Sequence, residues 1–264
     1  MEMIGRRLVD LSVTIGNREG RRNPSITYSS HEETARERAE SFGFDPADLP
    51  VPGVHFALEQ ITAYVHGSGT HVDAPWHYGP RVGGAAARSI EELPLEWFFG
   101  PGVVLDCSSH PGDVPIEAEH LQAALQGHEL QRGDIVLVRT DGEEPDPWNV
   151  EGRPEMNRSA GEFLLDHGVR VMGVDAPSPD RSHYADLASG KTETYFPVHT
   201  LGRSRDLCIV ELLTNLHLLP HHGFEVALFP IKVERGSGGW CRAVAFVPAA
   251  TDPGVAGRST ASRR

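Results

Sequence analysis

Short runs of apolar residues, spaced along the chain with helical patterns between them, constrain the fold more than any other feature. "GVVLDCS" (102–108) and "DIVLVRT" (134–140) are continuous apolar runs of strand length and read as buried strands. "VRVMGVDAPS" (169–178), "RDLCIVELL" (205–213) and "FEVALFPIKV" (224–233) read as further strands, and "WCRAVAFV" (240–247) as a last one. Between the first two lies "PIEAEHLQAALQ" (115–126), with Pro at an early helical position and Leu121, Ala124 and Leu125 at helical spacing. "AGEFLLDHG" (160–168) is a second helix, closed by Gly168. The expected fold is a single α/β domain in which strands outnumber helices.

The N-terminal "RRLVDLSVTI" (6–15) alternates well enough to be the first strand. Residues 17–53 are polar and rich in turn formers, with one short helix near "EETARERAESF" (32–42). An excursion of this length in a compact domain is expected to be a lid or a subunit contact. "FALEQITAYVH" (56–66) reads as a strand leading into a histidine-rich loop. There are no internal repeats and no linker, so the expected domain runs from 1 to 250. The tail "TDPGVAGRSTASRR" (251–264), rich in Gly, Ser and Arg, is expected to be disordered.

The net charge of −13 argues against nucleic acid as a partner, because phosphate backbones need clustered Lys and Arg. It argues equally against docking on anionic membranes. The three cysteines, Cys107, Cys208 and Cys241, lie far apart with no CxxC and read as buried free thiols. The start, "MEMIGRRLVDLSVTIG", lacks the apolar core of a signal peptide, and no apolar run approaches a membrane span. A cytoplasmic protein is the expectation.

The chemistry concentrates in "VHGSGTHVDAPWHY" (65–78), which holds His66, His71, Asp73 and His77 among Gly67, Gly69 and Pro75. A loop cannot easily bury four such groups unless something binds them. A metal ion does so, since imidazole nitrogen and carboxylate oxygen are its natural ligands. The alternative for any lone histidine here is a structural or solvated role. Other chemistries fit less well. The serine of "GSG" is not in a GxSxG elbow, no phosphate-binding glycine loop is present, and the HExxH of helical zinc hydrolases is missing.

"GTHVDAPWH" resembles the signature of the cyclase-type metal-dependent hydrolases, which include bacterial kynurenine formamidase and isatin hydrolase. The resemblance extends over most of the chain. "LVDLSVTI" is similar to that family's opening strand, "LPLEWFFGPGVVLD" to its middle strand, and "HGVRVMGVDAPSPD" to its Gly-x-Asp-x-x-Ser segment. "VHTLGRSRDLCIVELLTNL" resembles its second ligand block, and "FPIKVERGSGGWCRAVAF" its closing hairpin. The resemblance implies a mixed β-sheet, barrel-like core of the swivelling β/β/α type. It implies His71, Asp73, His199 and Glu211 as metal ligands, with Asp73 bridging if two ions bind, and His77 as the group that handles protons.

The first ligand departs from the family pattern. The family places it four residues before the second, where this chain has Gly67, while His66 lies five residues before His71. Either a one-residue insertion is absorbed by Gly67 and Gly69 so that His66 still reaches the metal, or that ligand is lost and His66 points away.

With nitrogen and oxygen donors and no thiolate, one or two ions of Zn2+ or Mn2+ are the expected cofactor. In the family's chemistry the metal lowers the pKa of its water from ~15.7 toward ~7, for attack on an amide, lactam or lactone carbonyl. The expected substrate is a small cyclic or aromatic metabolite. Trp76 is a candidate to stack on its ring, and Phe42 and Phe44 are candidate anchors of the polar excursion over the pocket. For Trp97, Phe98 and Phe99, core packing is the stronger reading. The resemblance implies a homodimer or homotetramer. Two alternatives stand beside this reading. One is a family member with a degraded metal centre, acting as a small-molecule binder or a metal-free cyclase or dehydratase. The other, a cupin-like metal oxygenase, would want a tight His-x-His followed by Glu.

Overall fold

The apolar runs lie side by side. The computed structural model describes residues 2–3, 5–17, 24–142, 146–181 and 183–249; the expected disordered tail, 251–264, lies outside them. Ten strands form one sheet: β1 (Glu2–Met3), β2 (Arg6–Asp10), β3 (His71–Asp73), β4 (Phe99–Asp106), β5 (Ile135–Arg139), β6 (Val171–Val174), β7 (Cys208–Glu211), β8 (Phe224–Ala227), β9 (Gly238–Trp240) and β10 (Val244–Pro248). Their order is β1-β2-β10-β8-β4-β5-β6-β7-β3-β9. Neighbours from β4 to β7 pair in parallel, and the flanking pairs are antiparallel. The helices are α1 (His31–Phe42), α2 (Pro75–Tyr78), α3 (Ala118–Ala124), α4 (Arg158–Asp166) and α5 (Tyr184–Ala188).

Parallel neighbours need crossovers, and α3 and α4 supply them between β4, β5 and β6. The strand period of two then sorts the side chains. Val104, Ile135 and Leu137 enter one apolar cluster with Val9, Val72, Val210 and Val226. Val103, Leu105, Val136 and Val138 enter the other, against Leu121, Leu125, Ala160 and Leu164 of the α3 and α4 region. Burial on both faces explains why these runs lack polar alternation. Cys107, Cys208 and Cys241 are buried free thiols.

The antiparallel flanks curl toward each other. Ser12, just beyond β2, bridges Leu213, just beyond β7, and Pro230 bridges Cys241. Leu11 N–H donates to the Ala243 carbonyl, and the Leu11 carbonyl accepts in turn from Thr214 N–H. A mixed, barrel-like core of this kind matches the expectation.

Three local expectations need correction. "WCRAVAFV" is not one strand: Trp240 ends β9, which pairs with β3, whereas Val244 opens β10, which pairs with β2 and β8. The first expected helix starts at Ala118, because Ile116 is committed to a bridge with Met156. The strand expected at 56–66 covers only Leu58–Thr62 and pairs with Ser25–Ser29 rather than with the main sheet.

The chain folds as two compact units, Met1–Val13 with Thr70–Arg264, and Thr14–Gly69. The smaller one encloses the 17–53 segment and holds the Ser25–Ser29/Leu58–Thr62 hairpin and α1. In α1, Ser30 and Glu33 form a capping box, and Gly43 closes the helix at φ +71°. No helix among the described residues is long and apolar enough to cross a membrane.

Candidate metal centre

The site grows from β3, the three-residue strand His71–Asp73, which is wholly buried between β7 and β9. Residues two apart in a strand face the same side, so His71 and Asp73 emerge together. Antiparallel register sets Glu211 directly opposite His71, which adds its carboxylate to the same face. Thr70 holds the entry to β3. Its hydroxyl donates to the Leu212 carbonyl at 2.6 Å and accepts from Val13 N–H at 2.9 Å.

Directly after β3, Pro75 opens α2 with its fixed φ, and the short helix carries His77. The His77 Nε2 lies 3.9 Å from Asp73 Oδ2, and the side chain keeps 31 % of its surface exposed. Tyr78 is buried and its hydroxyl accepts from Ile209 N–H at 3.1 Å, which ties α2 to β7. Burial pushes its phenol well above the usual range. His199 starts the 3-10 turn His199–Arg203, and Arg203 Nε donates to the Tyr78 carbonyl at 2.7 Å.

The donor atoms divide into two sets that share both carboxylates. His71 Nε2 is 3.4 Å from Asp73 Oδ1 and 3.4 Å from Glu211 Oε2. His199 Nε2 is 3.6 Å from Asp73 Oδ2 and 3.4 Å from Glu211 Oε1. Each carboxylate thus turns one oxygen toward each histidine. These spacings are long for N–H···O hydrogen bonds but match the edge of a tetrahedron, about 3.3–3.6 Å for ligands ~2.0–2.2 Å from one ion. Glu211 Oε1 is buried and makes no hydrogen bond among the described residues.

The electrostatics are equally pronounced. Burial opposes a charged His71 ring, but the Asp73 and Glu211 carboxylates outweigh it and raise the imidazole to about 10. Burial likewise opposes a charged His199, which Asp180, then Asp73 and Glu211, raise well above the usual histidine range. The pocket attracts positive charge, as protons or as a metal ion.

His66 is half-buried in the turn before β3, where Gly67 takes φ +81°, a conformation other residues adopt at a cost. Ligand atoms of Asp73, His77 and His199 lie within 4.8 Å of one another. Trp76, on α2, is 46 % exposed. Phe42 and Phe44 sit at the end of α1 in the smaller unit, Phe42 exposed and Phe44 half-buried. Phe98 is core and half-buried Trp97 packs against the core, as expected, with Arg88 and Arg170 over its ring, whereas Phe99 is partly exposed, stacked on Phe229.

Sequence reasoning missed Asp180. Its carboxylate is fully buried and meets His199 Nδ1 at 2.5 Å. It stands at the end of "VDAPSPD", where no spacing rule marks it; a charged residue following an apolar strand and two prolines was the available signal. Two strained residues also went unforeseen. Phe196 (φ +43°) precedes His199 by three positions, and buried Leu212 (φ +58°) follows Glu211 directly. Backbone strain of this kind gathers at functional sites.

Residues 9–181 match the model of a family described as "Putative cyclase". The chain belongs to this Cyclase family. It is 29 % identical over 205 residues to the kynurenine formamidase of Erythrobacter litoralis, an alignment covering 77 % of this chain and 83 % of that protein. It is 31 % identical over 214 residues to the isatin hydrolase of Roseibium aggregatum, covering 75 % and 78 %. Among solved structures, isatin hydrolase A from Labrenzia aggregata bound to benzyl benzoate superposes with a TM-score of 0.69 at 24 % identity, over 93 % of this chain and 95 % of that one. This member of the Cyclase family is a hydrolase with the mixed-sheet fold of those enzymes.

Proposed function

We propose that the chain is a metal-dependent hydrolase that cleaves an amide, lactam or lactone bond in a small cyclic or aromatic metabolite. The observation that carries this reading is the divided donor set, in which Asp73 and Glu211 each offer one oxygen to each of two histidines. The residues fit a divalent ion in spacing, in charge and in the buried Glu211 oxygen that makes no hydrogen bond among the described residues. Imidazole and carboxylate donors without thiolate favour zinc or manganese. Asp73, Glu211, His71 and His199 would hold the ion or ions, with His66 as a further ligand on the insertion reading. Of the two readings of position 67 we adopt the insertion, supported by the left-handed backbone of Gly67, which only glycine adopts at no cost.

When bound, such ions lower the pKa of water and polarise a carbonyl oxygen. The chain's own residues do the rest. Asp73 and Glu211 offset the cationic charge. His77, partly open and beside the cluster, would deliver a proton to the leaving nitrogen or oxygen. Trp76 would stack on an aromatic substrate. The relatives named kynurenine formamidase and isatin hydrolase support an aryl amide or lactam. The exposed Tyr28, Phe42, Phe56, Ile61 and Tyr64 of the smaller unit support assembly into a homodimer or homotetramer.

The test is steady-state hydrolysis of an N-formyl aryl amine and of isatin by zinc-loaded, manganese-loaded and chelator-treated protein. Turnover that chelation abolishes and metal restores is expected. Turnover unchanged after complete metal removal contradicts the reading.

A further inference from the structure

Asp180 lies outside the ligand set, yet it is as buried as any residue in the site. Its two oxygens have separate duties. Oδ2 accepts from the backbone N–H groups of Val198, at 2.5 Å, and His199, at 3.1 Å. Oδ1 faces His199 Nδ1 at 2.5 Å. The adjacent Ser178 hydroxyl donates to the Asp180 carbonyl at 2.5 Å and braces the same turn.

An ionised carboxylate only accepts hydrogen bonds. His199 Nδ1 must therefore carry a proton, and in the neutral ring the lone pair falls on Nε2. That nitrogen is the one directed at Asp73 Oδ2 and Glu211 Oε1. We propose that Asp180 is a positioning residue that locks His199 in its Nδ1–H form and so presents Nε2 to a divalent cation. The proposal rests on the metal reading above but concerns a residue that touches neither ion nor substrate. Carboxylates that accept from a metal-ligating histidine fix its tautomer and raise its basicity in just this way.

The anchoring of Oδ2 makes the proposal separable from a merely structural role. In Asp180→Asn the two backbone donors still require an oxygen, so the amide oxygen takes the Oδ2 place and the NH2 group faces His199. Nδ1 must then accept, and the ring proton moves to Nε2, where it blocks ligation. In Asp180→Ala nothing dictates the tautomer, and the ring is free to adopt the ligating form. Both variants lose the same negative charge, so a comparison between them isolates the proton's position.

The experiment is zinc affinity, by competition with a chelator of known strength, for wild type, Asp180→Asn and Asp180→Ala, beside the thermal stability of each metal-free protein. Zinc affinity is expected to fall about 10–100-fold in Asp180→Asn. It should fall less in Asp180→Ala, although Ala, which satisfies neither backbone donor, is the less stable variant. Affinities that follow the order of stabilities, with Ala weaker than Asn, overturn the proposal. Long-range 1H–15N spectra of the metal-free proteins provide a readout independent of metal. A hydrogen-bonded, slowly exchanging Nδ1–H on His199 is expected in the wild type and should be lost in Asp180→Asn. A wild-type ring without that proton overturns the proposal whatever zinc does. Zinc binding by none of the three, with the wild-type Nδ1–H in place, instead overturns the metal reading.

Discussion

Glu211 stands directly across the ladder from His71, and its Oε2 lies 3.4 Å from the ring's Nε2. The other oxygen of the same carboxylate lies 3.4 Å from His199 Nε2. One side chain therefore couples the two halves of the donor set. Glu211→Gln leaves the shape intact but removes one of the two carboxylate charges that both histidines face. The expected outcome is a loss of zinc affinity beyond the ~10–100-fold that follows loss of an outer partner, measured by chelator competition. Wild-type affinity in this variant would remove Glu211 from the ligand set.

The same carboxylates give the metal-free protein a characteristic pH dependence. His71 is raised from ~6.5 when unfolded to about 10 when folded. A group raised on folding contributes stability that is fully present below the unfolded pKa and is lost as pH rises through the folded one. Chelator-treated protein is thus expected to lose stability between pH ~6.5 and about 10 in chemical denaturation. Bound zinc takes the place of the proton, so loaded protein should show a flatter profile. Stability that climbs through this window in the chelated protein contradicts the coupling of His71 to Asp73 and Glu211.

His77 sits beside the cluster, its Nε2 3.9 Å from Asp73 Oδ2, and stays partly open. His77→Asn should spare metal affinity and lower kcat by about 10²–10⁴, the usual worth of acid–base assistance. Steady-state kinetics on metal-loaded protein, with metal content measured on the same sample, separates the two effects. A variant that loses metal and rate together would make His77 a ligand.

His66→Ala should lower metal occupancy, whereas deletion of Gly67, which restores the family spacing, should preserve it. Gly67→Ala should destabilise the fold by ~1–2 kcal/mol, because the backbone there is left-handed. Metal analysis and denaturation of the three variants test both statements. Equal metal content in His66→Ala and wild type would remove His66 from the site.

Much of the fold was legible because burial leaves a plain trace. Val136 and Leu137 are adjacent in sequence and face opposite apolar clusters, so β5 had to be apolar from Ile135 to Val138. In the sequence His71 and Asp73 fall in a loop and are joined only by the family resemblance; the structure makes them a strand whose two-residue period sets both on one face. Other features were hidden because their causes are non-local. "WCRAVAFV" has a strand's composition, yet its two ends pair with different neighbours. Leu58–Thr62 is exposed at every residue and pairs with Ser25–Ser29, far back along the chain, which no local pattern announces. Asp180 reaches His199 only after the chain between them has turned back. A buried carboxylate has no periodicity to betray it.

The most direct test of the central claim is metal content per chain, by mass spectrometry, on protein purified without a histidine tag or chelator. The expected result is about one or two equivalents of zinc or manganese, the number that the shared Asp73 and Glu211 oxygens can hold between two histidines. Protein that is metal-free as purified, and that takes up neither ion when offered, would contradict the claim that this donor set is a metal centre.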